Sequence, residues 1–181
     1  ESSYCGEDMK PAPKPTKKPK PKKHKKKTPR KVIVKDLDIL AREIVFYRDP
    51  QAVPLYYRIE SVGDAYEYAI NHRGVDQPGH IISRAKISVR WDLYNLHKQD
   101  ANDNMLHEFY PEVYTSWFCN NFGLSEYDRM VIDSRVITKY SMDDLETLYF
   151  EMTEVQKWQE ETGKKAYFSQ KDIMSGKWRT L

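Results

Sequence analysis

The chain has 181 residues, only two cysteines and no apolar stretch of about 18 residues, which excludes a disulfide framework, a cysteine-based metal site and a membrane-spanning helix. Its net charge of +3 is unevenly distributed, because residues 10–31 contain eleven Lys, one Arg and no acid, whereas residues 32–181 contain 18 basic and 24 acidic side chains. A basic arm on an acidic body favours a polyanionic partner for the arm. The alternative is an arm that only solubilises the chain or folds back on the body.

The first 31 residues form this arm, which also holds six of the ten prolines. Proline fixes φ and the repulsion between lysines extends the chain, so we predict disorder with local polyproline II character. Apolar residues begin at "VIVKDLDIL", which puts the boundary near residue 32 and predicts one globular domain over residues 32–181. Because the chain begins at Glu1 rather than Met, we expect a cleavage product, a trimmed form or a fragment.

Three segments follow the arm in chain order. "DLDILAREIVFYRD" predicts a helix with one apolar face, made of Leu37, Leu40, Ile44 and Val45. "SVGDAYEYAINHRG" predicts a second helix, because it opens with a Ser-x-x-Asp cap and ends at Gly74. "HIISRAKISVRWDLYNLH" fits a helix through Ile82, Ala85, Val89, Leu93 and Leu96, but residues 85–91 also alternate like a strand. We predict a helix.

The second half of the body has clearer helix boundaries. "NDNMLHEFYPEVYTSWFCNNFG" predicts a helix disturbed at Pro111 and closed near Gly123, and Ser125 is the predicted N-cap of the next helix. "SMDDLETLYFEMTEVQKWQEETG" predicts a helix that starts at Ser141 with Asp144, ends at Gly163 and has an apolar stripe of Leu145, Leu148, Met152 and Val155. A last short helix follows Ser169. Six or seven helices and few strand-like segments predict a compact all-α fold, or an α-rich α+β fold.

The arm is the first predicted binding site. Lys outnumbers Arg eleven to one there, which favours point-charge attraction to phosphates over base recognition. We predict sequence-nonspecific binding of nucleic acid through Lys14, Lys17, Lys18, Lys20, Lys22, Lys23, Lys25, Lys26, Lys27, Arg30 and Lys31. The same run also suits a nuclear-import signal. No amphipathic helix or lipidation motif accompanies it, so we predict no membrane partner.

The C-terminal stretch "GKKAYFSQKDIMSGKWRTL" carries a second basic signal. Lys164, Lys165, Lys177 and Arg179 are interleaved with Tyr167, Phe168 and Trp178. Cations beside stackable rings suit single-stranded nucleic acid. The alternative, which we favour, is that the rings pack into the core while the lysines solvate the surface.

The N-terminal stretch "SSYCGEDMKPAPKPTKKPKPKK" has a Tyr near its start, then Gly, then Lys-Pro repeats. Over these 22 of 181 residues it resembles the short genome-linked proteins of picorna-like viruses. The resemblance implies that the Tyr4 hydroxyl accepts a nucleotide and primes RNA synthesis. A protein primer is therefore a third, minor hypothesis for the function.

Other motifs point to structure rather than chemistry. "DANDN" at residues 100–104 opens like a calcium loop but has Met105 at the sixth position and Pro111 at the twelfth, so we predict a loop and helix cap. Asp143 and Asp144 suit the first turn of a helix, and Cys119 has no basic neighbour to form a thiolate. We predict no catalytic residue, no metal site and no cofactor.

The aromatic band of Phe109, Tyr110, Val113, Tyr114, Trp117 and Phe118 fits a core or an interface, and we favour a core. Together these patterns favour a non-enzymatic nucleic-acid-binding or packaging protein, whose body oligomerises or binds a partner. Viral nucleocapsid and coat subunits and chromatin-associated factors share this layout. We expect a reducing compartment, the nucleus or a virion. The alternative is a protein-interaction adaptor whose arm serves nuclear import or solubility.

Overall fold

The computed structural model describes residues 28–53 and 74–181. Over these residues the chain forms six α-helices and one two-stranded sheet, in the order α1 (Pro29–Arg48), β1 (Asp76–His80), β2 (Leu96–Asp100), α2 (Ala101–Leu106), α3 (Pro111–Phe122), α4 (Leu124–Ser134), α5 (Met142–Thr162) and α6 (Gln170–Met174). Short 3-10 helices lie at Ile87–Val89 and Lys177–Thr180. This helix-rich architecture confirms the predicted fold class. The arm was predicted to be disordered over residues 1–31. Residues 1–27 lie outside the described residues, but residues 29–31 belong to α1, so the prediction is wrong for them. Nearly all of the helix predicted over residues 61–74 also lies outside the described residues.

The main core lies between α1 and α5, which run parallel to one another. Arg30, in the first turn of α1, donates to the Tyr140 carbonyl just before α5, and Gln159 near the end of α5 donates to the Ile44 carbonyl. The predicted apolar stripes of both helices are buried at this interface: Leu37, Leu40, Ile44, Val45, Leu145, Leu148, Met152 and Val155. Each such side chain contributes on the order of 2 kcal/mol through burial. Both helices therefore begin at the same end of the molecule.

The ends of α5 match their prediction. The Ser141 hydroxyl accepts from the Asp144 backbone N–H, and the Asp144 carboxylate accepts from the Ser141 N–H, which together make a capping box. Gly163 ends the helix in the left-handed region at φ 67°, where glycine has no steric penalty. The N-cap predicted at Ser125 is wrong, because α4 begins at Leu124 and Gly123 occupies the N-cap position without a side-chain bond.

The helix predicted over residues 80–97 is also wrong. This segment forms the end of β1, a loop with one 3-10 turn, and the start of β2, and the strands pair antiparallel with Gly79 opposite His97. Asn95, fully buried, accepts from the Ile82 N–H at 2.7 Å and donates to the Ile82 and Val89 carbonyls. These bonds satisfy the backbone within the loop, and the Trp91 N–H also donates to the distant Gln170 side chain at 2.8 Å, so that contacts outside the local helical spacing decide the conformation.

A second, smaller core lies between α3, α4 and the sheet. Its buried members are Val53, Ile81, Tyr114, Phe118 and Met130. The aromatic band is divided: Tyr114 and Phe118 are buried, whereas Phe109 is 69% exposed.

The starts of α2 and α3 have local causes. Pro111 occupies the first turn of α3, which confirms the predicted disturbance there. The Asp100 carboxylate caps α2 by accepting from the Asn102 N–H at 2.9 Å.

Candidate nucleic-acid interface

The predicted binding residues of the arm lie mostly before the described part of the chain. Tyr4 and the nine lysines from Lys14 to Lys27 are outside it, so the priming hypothesis and most of the arm prediction stay predictions. Arg30 and Lys31 are exposed in the first turn of α1. This helix begins at Pro29, three residues before the domain boundary predicted near residue 32. The Arg30 guanidinium donates to the Tyr140 carbonyl at 2.6 Å.

In the basic C-terminal stretch, residues 163–181, some of the predicted binding residues are buried or paired and others are exposed. Phe168 and Trp178 are 7% and 6% exposed, which confirms the alternative that these two rings pack into the core. Glu151 accepts from the Trp178 indole at 3.0 Å and pairs with Arg179 at 2.6 Å, while Lys177 lies 3.7 Å from Asp172. These two cations therefore have acidic neighbours that offset their charge.

Lys164 and Lys165 differ from that pair. They are exposed just after α5, and no ion pair joins their ammonium groups to an acid of the residues that the structure describes. Because α5 is 21 residues long, it spans about 30 Å. Lys164 and Lys165 therefore lie at the opposite end of the body from the start of α1, where the arm joins.

A buried polar cluster of Arg48, Asp49 and His97 lies beside Lys165. The Arg48 guanidinium makes two hydrogen bonds to the Asp49 carboxylate, at 2.9 and 2.7 Å. It also donates to the carbonyls of Leu93, Leu96 and Ala166, at 2.6, 2.5 and 3.2 Å. All five N–H groups of this fully buried side chain thus have acceptors. The cluster joins the end of α1 to β2 and to the segment after α5.

The protonation states in this cluster follow from its hydrogen bonds. Burial alone would raise the pKa of Asp49, but the neighbouring His97 and the two hydrogen bonds from the Arg48 guanidinium outweigh it and hold the pKa below its ordinary range. Burial lowers the pKa of His97 to about 4, so the ring is neutral at pH 7. Its Nε2 lies 3.0 Å from the Tyr94 carbonyl and its Nδ1 lies 3.2 Å from an Arg48 N–H, which assigns the proton to Nε2.

A pocket of about 290 Å³ opens over this cluster. The loop after α1 forms one side, and the remaining lining is Asp49, His97, Trp117, Lys165 and Tyr167. The ring centroids of Trp117 and Tyr167 lie 4.9 and 6.4 Å from that of His97. The Arg48 guanidinium carbon lies 4.2 Å from the centroid of the Tyr167 ring. The pocket therefore combines aromatic surface with one exposed cation.

A larger groove of about 680 Å³ lies between α1 and β1. Two of its four charged groups are paired with each other: Arg90 donates twice to Asp38, at 2.9 and 2.7 Å, and the Trp91 indole donates to the same carboxylate. The other two, Arg84 and Glu108, have opposite charges. His80 in this groove lies 3.1 Å from the Arg90 carbonyl, and burial lowers its pKa to about 4. The charged groups that line the groove therefore carry no net charge.

Comparison of the chain with protein families, curated proteins and solved structures finds no match. Across residues 28–53 and 74–181, no three His, Cys, Asp or Glu side chains are grouped so as to hold a metal ion. The helices within those ranges are all too short or too polar to cross a bilayer.

Sequence reasoning identified Lys165, Trp117 and Tyr167 separately but did not bring them together. Trp117 lies in α3 and Tyr167 in the non-helical segment between α5 and α6, and no local spacing relates them. The cluster of Arg48, Asp49 and His97 was missed altogether. Its only sequence signal is an Arg-Asp pair at the end of an apolar helix, which is ordinary for a solvent-exposed terminus.

Proposed function

We propose that this protein binds single-stranded nucleic acid without catalysis, using the Lys-rich arm as its main source of affinity. The observation that carries the proposal is the segregation of charge, with twelve cations and no acid over residues 10–31 on a body that carries six more acids than bases. Lysines that neutralise phosphates release condensed counterions, which gives affinity without base recognition. The acidic body repels the same ligand except where its cations are unpaired.

The position of the arm on the body supports this proposal. The arm continues directly into α1, so Arg30 and Lys31 extend its charge onto a fixed helix. The 27 residues before Thr28 have a contour of about 95 Å, at about 3.5 Å per residue. That length exceeds the roughly 30 Å of α5 about threefold. A strand held by the arm is therefore within reach of both ends of the body.

The salt dependence of binding tests the role of the arm. If all twelve cations engage phosphates, the slope of log K against log salt approaches about −8, at about 0.7 per contact. Replacing Lys20, Lys22, Lys23, Lys25, Lys26 and Lys27 by Gln is expected to reduce the slope by about 4. The measurement is fluorescence anisotropy of a labelled single strand at several salt concentrations.

The matched control replaces the same six lysines by Arg, which keeps the charge and is expected to keep the slope. A slope that is equal in the Gln and wild-type proteins would move the phosphate contacts away from the arm. A full-length protein that binds no single strand at low salt would favour the adaptor hypothesis instead.

A second candidate role, self-association or binding of a protein partner, is favoured by an exposed apolar patch. Ile132 is 63% exposed near the end of α4, and Val136 and Ile137 in the following segment are 58% and 91% exposed. Clustered apolar side chains in solvent are typical of interaction surfaces. Several tails in one oligomer would raise the affinity for nucleic acid through avidity. Light scattering of the wild type and of Ile137→Ser, with and without a single strand, tests this role.

A further inference from the structure

We propose that the pocket lined by Trp117, Tyr167 and Lys165 binds one unpaired base of single-stranded nucleic acid, with a neighbouring phosphate at Lys165. This inference rests on the proposed function and deepens it, because it gives the body a contact of its own. The two rings provide the stacking surface and Lys165 provides the charge. Such a pairing of rings and cations is the usual means of holding single strands.

The two rings are held in place before any ligand binds. Tyr167 packs against Phe122 and Tyr94, with ring centroids 5.0 and 5.7 Å apart. Trp117 packs against the same Phe122 ring at 6.0 Å and against His97 at 4.9 Å. Neither ring is fully buried, so each keeps accessible surface at the pocket. Stacking a base on fixed rings avoids most of the entropy cost of ordering side chains.

The size of the pocket limits what it holds. Sites for drug-sized ligands occupy roughly 300–1,000 Å³. A pocket of about 290 Å³ lies at the lower limit of that range. It therefore suits a single base rather than a dinucleotide cofactor, and the attached sugar and phosphate extend over its open side.

The charge balance of the pocket favours an anionic ligand. Asp49 is compensated by its two bonds to Arg48, and His97 is neutral at pH 7. The exposed Lys165 ammonium therefore sets the sign of the charge. An aromatic cage for a methylated ammonium needs an uncompensated negative or neutral site, which this pocket does not provide.

Two probes test the pocket in the full-length protein: adenosine 5′-monophosphate, and a labelled oligodeoxyadenylate of about 12 nucleotides. Of the four tryptophans, Trp117 lines the pocket, whereas Trp91 and Trp178 are buried in the main core and Trp158 packs against it. Adenosine monophosphate is expected to quench tryptophan fluorescence in the wild type but not in Trp117→Phe. Tyr167→Leu is expected to bind the oligonucleotide about five- to 150-fold more weakly, the range for one lost stacked base.

Matched controls separate the pocket from general charge and folding effects. Lys165→Gln is expected to weaken quenching by the monophosphate several-fold, whereas Lys139→Gln removes the same charge from an exposed position just before α5, at the other end of the body, and is expected to leave quenching unchanged. Tyr149→Leu removes an exposed ring from α5 and controls for Tyr167→Leu. The urea midpoint of each variant shows whether it is folded, and Lys165→Gln, at an exposed position, is expected to keep the wild-type midpoint.

The outcomes distinguish the two proposals. Salt-dependent oligonucleotide binding with no quenching by the monophosphate, and no difference between Lys165→Gln and Lys139→Gln, overturns the pocket and leaves the proposed function standing. Quenching that depends on Trp117 and Lys165, in a protein that binds no oligonucleotide, supports the pocket and overturns the proposed function.

Discussion

Arg48 shows how one side chain fixes the arrangement of several segments. Its five N–H groups are divided between Asp49 and three carbonyls, which belong to Leu93, Leu96 and Ala166. These acceptors come from β2, the loop before it and the segment after α5. A buried charge is tolerated only when it is paired and fully hydrogen-bonded, and this one is both. The same side chain lies under Tyr167, so it positions one wall of the proposed base pocket.

Arg48→Met removes the guanidinium that joins these segments. We expect a loss of about 3–5 kcal/mol in the free energy of unfolding, because Asp49 is left as an uncompensated buried charge and three carbonyls lose their donor. Urea denaturation monitored by circular dichroism measures the loss. The double variant Arg48→Met with Asp49→Asn removes the stranded charge and is expected to be less destabilised than the single one. Equal stability of Arg48→Met and the wild type would contradict the role given to this cluster.

At the scale of elements, local sequence patterns correctly predicted the helix whose capping residues lie at both of its ends. α5 has an apolar stripe, a capping box and a terminal glycine, and all three were predicted from spacing alone. α4 has no side-chain cap at its start. Gly123 precedes it with a φ of 90°, a conformation that favours glycine, and has no side chain that could accept from the first turn. The segment before β2 misled the prediction because Ile82 packs in the second core whereas Leu93 and Leu96 pack in the main core. The apolar residues of this segment therefore match a helical spacing although they are buried in two different cores and do not form one helix face.

A paired substitution tests the helix caps. Ser141→Ala is expected to cost about 0.5–2 kcal/mol of stability, because the Asp144 backbone N–H loses its acceptor at the start of α5. Ser125→Ala removes the same hydroxyl from an exposed position in the first turn of α4. There we expect a change within about 0.5 kcal/mol. Thermal and urea unfolding of the two variants compares them directly, and an equal loss in both would disprove the assigned boundaries.

At the scale of the whole molecule, two cores are joined through polar groups. His97 contacts the rings of α3 on one side and the Arg48–Asp49 pair on the other. Asp92 and Arg129 make a second link, with Asp92 in the segment before β2 and Arg129 on α4, 2.9 Å apart. The arm joins at one end and the proposed pocket lies at the other. In the function that we propose, this layout separates nonspecific phosphate binding by the arm from a single defined base contact on the body.

The buried histidines make the stability of the whole domain depend on pH. Burial lowers the pKa of both His80 and His97 to about 4, from a value of 6.5 for the free side chain. The unfolded chain thus binds more protons than the folded one between these values, and stability falls as pH decreases from 6.5 towards 4. At about pH 5 we expect a loss on the order of 2 kcal/mol for each histidine relative to pH 7.5.

Urea denaturation of the wild type and of His97→Gln at the two pH values measures this effect. The variant is expected to lose about half of the pH-dependent change, since His80 still titrates. A free energy of unfolding that is the same at both pH values in the wild type would show that neither imidazole is held neutral by burial.

The sequence alone determined the segregation of charge, the buried faces of α1 and α5 and the caps of α5. All of these depend on residues a few positions apart, or on composition, and their physics is local. Only the tertiary structure decided that Phe168 and Trp178 are core whereas Tyr167 lines a pocket with Trp117 and Lys165. It also decided that Arg48, Asp49 and His97 form one buried cluster. Burial and pairing between distant segments set these outcomes, and no short spacing in the chain encodes them.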